Sequence, residues 1–315
     1  VDGEIAGLVV RKDERDADVG GRRISGKILK ISTFKVKEEF RGEKLGELLL
    51  KQVLWYAQRN GYDVTYLTVF ADKQPSLMRL LEFYGFIDAG GLDSGERILH
   101  KFITRDRVLV LPGVDPFFVD RVSYPRFYAG SAVSVFCVPI QSDYHQRLFP
   151  EIAFATPLSL FPDEPSLVVK TGDRMPPGNT IRKVYICKAQ IKKMGGGDIL
   201  LFYRSRSPGF VSSQAITSVG IVERVSSTSS YEELVRLTAK RSALPDAELR
   251  RMTAGGGGPV KVIDFLLVGH IDPPIQIDKL LSDGIFTRHP PQSICRISAD
   301  RFERLSKYLN LGFEI

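Results

Sequence analysis

The chain has 315 residues, 43% of them hydrophobic, which is room for two domains with real cores. Its 44 Lys and Arg against 37 Asp and Glu leave a formal charge of +7, a balance that permits a polyanionic partner without requiring one. Cys137, Cys187 and Cys295 are too dispersed, and odd in number, for a disulfide framework or a metal knuckle, which points to a reducing, cytoplasmic setting. No apolar run reaches membrane length, and nothing near Val1 reads as a signal peptide.

The first elements read β–β–α–β–α–β. Glu4–Arg11 is a strand, Lys12–Arg23 a charged loop, and Lys30–Val36 a second strand by its period-two alternation and β-branched content. Phe40-Arg41-Gly42 turns the chain into a helix over Lys44–Gln58, where Leu45, Leu48, Leu49, Leu50, Val53 and Leu54 form an apolar stripe. Unpaired amides at that helix start, flanked by Arg41 and Lys44 at the end of a strand, suit an anionic, phosphate-bearing ligand. Val64–Phe70 reads as a buried strand and Gln74–Phe83 as a short helix with Pro75 in its first turn. Leu99–Ile103 is a closing strand. Asp72 and Lys73, just past a strand's carboxyl end, occupy a usual location for a site in an open α/β sheet.

From Arg107 the texture changes to short β-rich segments set between Pro, Gly and aromatic residues. A connector is expected over 105–130 and a second domain over 131–315. In it SLVVK, KVYICKAQ, DILLFYRS, AITSVGIVERV, VKVIDFLLV and SICRIS read as strands. Helices are expected at Tyr231–Lys240, Asp246–Met252, Ile277–Ser282 and Ala299–Leu309, the last capped by Ser298. Many strands with few short helices indicate a small, partly open barrel, so the class is α+β with two domains.

Residues 1–104 resemble the GNAT family of N-acetyltransferases. That family has an Arg/Gln-x-x-Gly-x-Gly/Ala turn, matched here by Arg41-Gly42-Glu43-Lys44-Leu45-Gly46, with Lys44 where a glycine is usual. QPSLMRLLEFYGF is similar to the family's closing helix and Gly-Phe motif. Gln74 stands where Asn is common, Leu81 where a thiol-protonating tyrosine is frequent, and Tyr84 where an apolar residue is usual. The resemblance implies acetyl-coenzyme A as cofactor. Phe34 and Val36, within Ile31–Val36, are expected to flank the pantetheine, and Arg41, Gly42, Glu43, Lys44, Leu45 and Gly46 the pyrophosphate, with Gln74 nearby. It also implies a strand and two helices ahead of EIAGLVVR, so the amino-terminal part of that fold is expected to be missing.

Acetyl transfer to an amine needs alignment, a polarised carbonyl, a route for the amine proton and an acid for the thiolate. Tyr84 is the nearby phenol for the acid, or else a packed ring. Glu38 and Glu39 are proton acceptors or rim charges.

The run GNTIRKVYICKAQIKKMGGGDILLFYRSRS, followed by AITSVGIVERV, is similar to the PUA-like superfamily with its ASCH and EVE branches, over about 133–315. The resemblance implies RNA or modified-nucleobase binding. Between Gly178 and Arg206 seven basic residues (Arg182, Lys183, Lys188, Lys192, Lys193, Arg204 and Arg206) face one acidic residue, Asp198, giving +6. Tyr185, Phe202 and Tyr203 offer stacking, and Gln292-Ser293 polar edges, beside such phosphate contacts. Ordinary strand-edge charge is the alternative.

His100, His145, His270 and His289 lack ligand spacing, so no metal is expected, and no serine-hydrolase elbow or P-loop is present. The leading expectation is an acetyl-coenzyme-A-dependent N-acetyltransferase directed to RNA or another nucleic-acid-associated substrate. The alternative is a non-catalytic coenzyme A-binding scaffold or regulator beside a nucleic-acid reader.

Overall fold

The computed structural model describes residues 5–153, 180–191, 193–206, 213–239, 241–256, 258–313 and 315. They form two compact units, one of residues 5–130 joined by the last residues from Leu311, the other of residues 131–310. Each unit has its own mixed sheet with helices, an α+β architecture.

The first unit comprises β1 (Gly7–Val19), β2 (Arg22–Val36), α1 (Leu45–Arg59), β3 (Val64–Val69), α2 (Pro75–Phe83), β4 (Ile87–Gly91), β5 (Arg97–Phe102) and α3 (Pro116–Ser123). Its sheet runs β1-β2-β3-β5-β4. The expected loop at Lys12–Arg23 is instead a continuation of the β1–β2 ladder. The chain reverses at Gly20-Gly21, whose φ values of 61° and 75° are the left-handed pair that a two-residue hairpin turn demands. The charge of KDERDAD hid a strand because this ribbon leaves many of its side chains in water.

β2 and β3 pair in parallel only over Ile28–Lys30 with Val64–Tyr66. Both strands continue past that ladder, β2 to Val36 and β3 to Val69, without pairing to each other. A parallel neighbour requires a crossover, and α1 supplies it. Its Leu45, Leu48, Val53, Leu54 and Ala57 are buried. β4, unread in IDAGG, pairs antiparallel with β5 across a bulge between Asp88 and Gly90. Residues 105–130 hold α3, whose Asp115 carboxylate accepts from the Phe117 amide at 3.1 Å.

The second unit comprises β6 (Val135–Ile140), α4 (Ser142–Leu148), α5 (Pro150–Ala153), β7 (Arg182–Cys187), β8 (Ile199–Arg204), β9 (Ala215–Thr228), α6 (Tyr231–Thr238), α7 (Asp246–Ala254), β10 (Val260–Gln276), α8 (Ile277–Ser282), β11 (Cys295–Ile297) and α9 (Ala299–Ser306). The order is β11-β6-β8-β9-β10-β7, with β6 parallel to β8 and every other pair antiparallel. Among the described residues the sheet stays open, with β11 and β7 as its edges. Three register shifts between β9 and β10 bend these long strands.

β8 is buried at every position, as its unbroken apolar reading requires. Phe202 on that strand packs against Phe149 and Phe265, with ring centroids 4.9 and 4.8 Å away. α4 and α5 were not anticipated, and SLVVK lies outside the described residues. Ser298 occupies the N-cap of α9, but its hydroxyl makes no cap bond; the working serine cap is Ser230 on α6, accepting from the Glu233 amide at 3.2 Å. Among the described residues no helix is long and apolar enough to cross a membrane, and no cluster of His, Cys, Asp and Glu is arranged to hold a metal ion.

Candidate functional site

Where β2 and β3 part, the carboxyl ends of two parallel strands lead toward the starts of α1 and α2. That is the crevice position at which open α/β sheets take ligands. β2 carries a bulge there. Arg11 pairs with Ile31 and Val10 with Thr33, so Ser32 is the extra residue, two residues past the last parallel pair at Lys30 and Tyr66. Beyond it Phe34 and Val36 follow opposite Val9 and Gly7.

A 3-10 turn, Glu38–Phe40, connects β2 to α1. Gly42 has φ 90°, and a Cβ built there would meet nothing within 4 Å. Lys44 is the N-cap of α1, left-handed at φ 61°, and it supplies no side-chain cap. The lysine therefore holds the backbone shape that a glycine would adopt without strain. Leu45 is buried in the first turn, and Gly46 is close-packed: a Cβ there would lie 3.5 Å from Leu80 Cδ2 and 3.9 Å from Phe34 Cε1.

Arg41 donates to Glu38 Oε1 at 3.0 Å, and both side chains are largely exposed. Such a pair is worth about 0–1 kcal/mol and is readily exchanged for a phosphate. Glu43 is exposed, and its amide is held by the Phe40 carbonyl at 3.4 Å. Gln74 stands at the N-cap of α2 and its Oε1 accepts from the Phe70 amide at 3.3 Å, tying it to the end of β3. The structure thus gathers Phe34, Val36, Arg41, Gly42, Glu43, Lys44, Leu45 and Gly46 along one continuous strand–turn–helix.

Tyr84 stands apart from that group. It is fully buried, its ring packs 5.5 Å from Tyr124, and its hydroxyl lies 3.4 Å from Glu47 Oε1 on α1. Glu38 is occupied by Arg41.

Sequence reasoning missed a cluster at the head of the parting strands. Tyr66 donates to Glu14 Oε2 at 2.7 Å, and Lys12 donates to Glu14 Oε1 at 3.0 Å, with Lys30 at 4.0 Å. These residues line a groove of about 520 Å³ on the hairpin. Burial pushes the Glu14 carboxyl up, but the bonds from Tyr66 and Lys12 and the charge of Lys30 hold it below the usual carboxylate range. It is a permanent anion rather than a strong base. Reading Lys12–Arg23 as a loop concealed it, and the strand alternation of Lys12 and Glu14 was the available signal.

In the second unit a cleft of about 770 Å³ is walled by the ends of β6 and β8, by β7, by α4 and α7, and by Pro290–Gln292. Glu248 accepts from the Tyr144 hydroxyl at 2.5 Å and from Arg251 at 2.8 Å. Burial raises the Tyr203 phenol to about 12 and pushes Tyr185 up as well, so both stay protonated. Gln141, Gln214 and Gln292 add neutral amides to this lining. Aromatic faces beside amide edges suit a flat, hydrogen-bonding ligand better than an extended polyanion.

The basic residues singled out between 182 and 206 do not form one surface. Lys183 is buried, donating to the Leu148 carbonyl at 2.7 Å with Glu151 at 3.7 Å. Arg204 is buried, its Nε donating to Ser142 Oγ at 3.3 Å, and Tyr203 is buried beside it. Arg182 forks onto Glu223 at 2.6 and 2.9 Å, and Lys188 donates to the Gly255 and Gly256 carbonyls. Lys193 is exposed, Lys192 lies outside the described residues, and Arg206 alone of these cations lines the cleft, beside Tyr203. Burial of β8 at every position, and of Lys183 on β7, takes part of the run inward.

Residues 1–86 match the acetyltransferase (GNAT) family model, a match that runs through β1, β2, α1, β3 and α2. The amino-terminal segment therefore carries a GNAT-family domain. No curated protein matches the chain. Among solved structures, ASCH from Zymomonas mobilis is similar at 12% identity and TM-score 0.38, over 55% of this chain and 94% of that one. Ard1 from Thermoplasma volcanium is similar at 17% identity and TM-score 0.27, over 33% and 66%. Nourseothricin acetyltransferase is similar at 23% identity and TM-score 0.23, over 31% and 57%.

Proposed function

We propose that the chain is an acetyl-coenzyme-A-dependent N-acetyltransferase whose second unit engages RNA or a modified nucleobase. One observation carries the reading: β2, bulged at Ser32, parts from β3 and leads through a turn to an uncapped helix start flanked by exposed Arg41, within the family-matched segment.

The residues present fit the coenzyme. Open space around Gly42, the uncapped α1 start and an Arg41 held only by a surface carboxylate form a cradle for a pyrophosphate. Phe34 and Val36 flank the opening between strands, and Gln74 faces it from the other side's strand end. The bound coenzyme supplies an activated acetyl thioester. The edge of β2 left unpaired where it parts from β3 directs backbone amides to where a carbonyl is polarised. Glu14, kept ionised by Tyr66 and Lys12, serves to anchor a cationic amine at the head of the crevice. The cleft of the second unit, with Tyr144, Tyr185 and the three glutamines, supports recognition of a base by stacking and edge contacts.

A second reading, coenzyme binding without transfer, is favoured by one feature. The phenol expected to protonate the thiolate, Tyr84, is packed against Tyr124 and Glu47.

Calorimetric titration with acetyl-coenzyme A tests the reading. The wild-type chain binds, and Arg41→Glu binds roughly 10–100-fold more weakly, the loss of about 1.5–3 kcal/mol for a charge-assisted bond. Equal affinity in the two proteins removes the assigned turn. Binding without acetyl transfer to an amine or RNA panel selects the second reading.

A further inference from the structure

The cysteines of β6 and β11 form a site that acetyl transfer does not use. Although 158 positions separate them in the chain, antiparallel pairing sets Cys295 directly opposite Cys137. Residues directly opposite in such a ladder share a face and have Cα atoms about 4.5 or 5.5 Å apart. Both spacings lie inside the roughly 4.4–6.8 Å that a disulfide spans. Both thiols are free; Cys137 is buried and Cys295 is partly exposed, so a reagent has one entrance. The hydrogen bond from Cys137 lowers Cys295 to about 7, against the opposing effect of burial and with help from Arg301. Burial, together with Cys295, raises Cys137. The outer thiol is thus the nucleophile and the inner one the resolving group.

We propose that Cys137 and Cys295 form a reversible dithiol site whose co-substrate is a small disulfide and whose product is a cross-strand disulfide binding β11 to β6. The Cys295 thiolate attacks one sulfur of the small disulfide, forming a mixed disulfide as the first thiolate leaves. Cys137 then gives its proton to solvent and attacks Cys295 Sγ, expelling the second thiolate. The protein dithiol loses two electrons and two protons, and the small disulfide is reduced to two thiols. Cys187 is the internal control: its partner across the β7–β10 ladder is Lys261, and burial raises its thiol.

The bond bears on the cleft. β11 is three residues long and is held to β6 by three register pairs. Gln292, three residues before Cys295, and Ile140, three after Cys137, both line the cleft. Oxidation therefore fixes two of its walls to each other.

The test treats the full, reduced chain with oxidised glutathione. Titratable thiols fall from three to one, the intact mass drops by two hydrogens with no retained glutathione, and peptide mapping joins Cys137 to Cys295. The initial rate rises through a midpoint near pH 7, and dithiothreitol restores three thiols. Cys187→Ser still forms the link, whereas Cys295→Ser does not. A stable glutathione adduct on Cys295, a link through Cys187, or three unreacted thiols overturns the proposal. The first result comes from the unmodified chain, so it does not depend on any variant folding.

Discussion

The crevice of the first unit and the cleft of the second use similar residue types in opposite ways. In the crevice the cation, Arg41, is exposed and its pairing with Glu38 is cheap to exchange. In the second unit Lys183 and Arg204 come from the most basic stretch of the chain, yet both are buried and engaged inside the protein. The difference teaches that a run of positive charge reports a ligand only where the backbone keeps it in water. Where the fold takes them into the interior, the same residues become structural.

The largest expected effect breaks this comparison at Lys183. Its ammonium is surrounded by the Leu148 carbonyl, Glu151 and the Phe149 ring, the last 5.4 Å away. Lys183→Met keeps most of the volume but removes the charge, leaving a carboxylate and a carbonyl that had been compensated. Breaking a buried pair in this way costs about 3–5 kcal/mol. Urea denaturation reads it, and a loss below about 1 kcal/mol together with weaker, less salt-dependent RNA binding would return Lys183 to the surface. Arg41→Glu, by contrast, leaves the urea midpoint in place and acts on coenzyme affinity.

This contrast also explains what was legible in the sequence. The crevice is contiguous: strand, turn and helix between Phe34 and Gly46 lie in one stretch, so alternation, glycine and apolar spacing exposed it. The Ser32 bulge was not legible, because it is set by the register with β1, a strand whose end was placed at Arg11 and lies at Val19. Most second-unit strands were legible from β-branched runs. Their neighbours were not, since β6 beside β8 and β11 beside β6 join segments far apart in the chain. The cleft is built from at least five such segments, and only Tyr185, Tyr203, Arg206 and Gln292 of its lining were singled out beforehand. The facing of Cys137 and Cys295 was hidden for the same reason.

A pH titration sharpens the contrast at His145. This ring is buried on α4 and hydrogen-bonds Thr217 Oγ1 at 2.6 Å. Burial, reinforced by the charges of Arg204, His270 and Lys183 and opposed by Glu151, lowers it to about 3. An unfolded histidine titrates near 6.5, so between about 6.5 and 3 the unfolded chain binds a proton that the native state refuses. Stability is therefore whole above the upper value and falls with pH through that window, by at most about 1.4 kcal/mol per pH unit. From pH 7 to 5 the wild type loses about 2 kcal/mol more than His145→Gln. Parallel losses in the two proteins remove the assignment.

The smallest effect concerns Lys44 and separates charge from backbone shape. At φ 61° a lysine carries the left-handed penalty of about 1–2 kcal/mol that glycine escapes. Glycine also serves well at an N-cap, although it frees the unfolded chain and so returns part of the gain. Lys44→Gly is expected to stabilise the protein by about 0.5–1 kcal/mol, whereas Lys44→Ala keeps the strain and does not. If lysine is retained there for its charge, both variants weaken acetyl-coenzyme A binding to a similar degree, and only one becomes more stable. If affinity is unchanged in both, Lys44 is an exposed helix-start residue, and the anion-binding part of the turn reduces to Arg41 and the backbone.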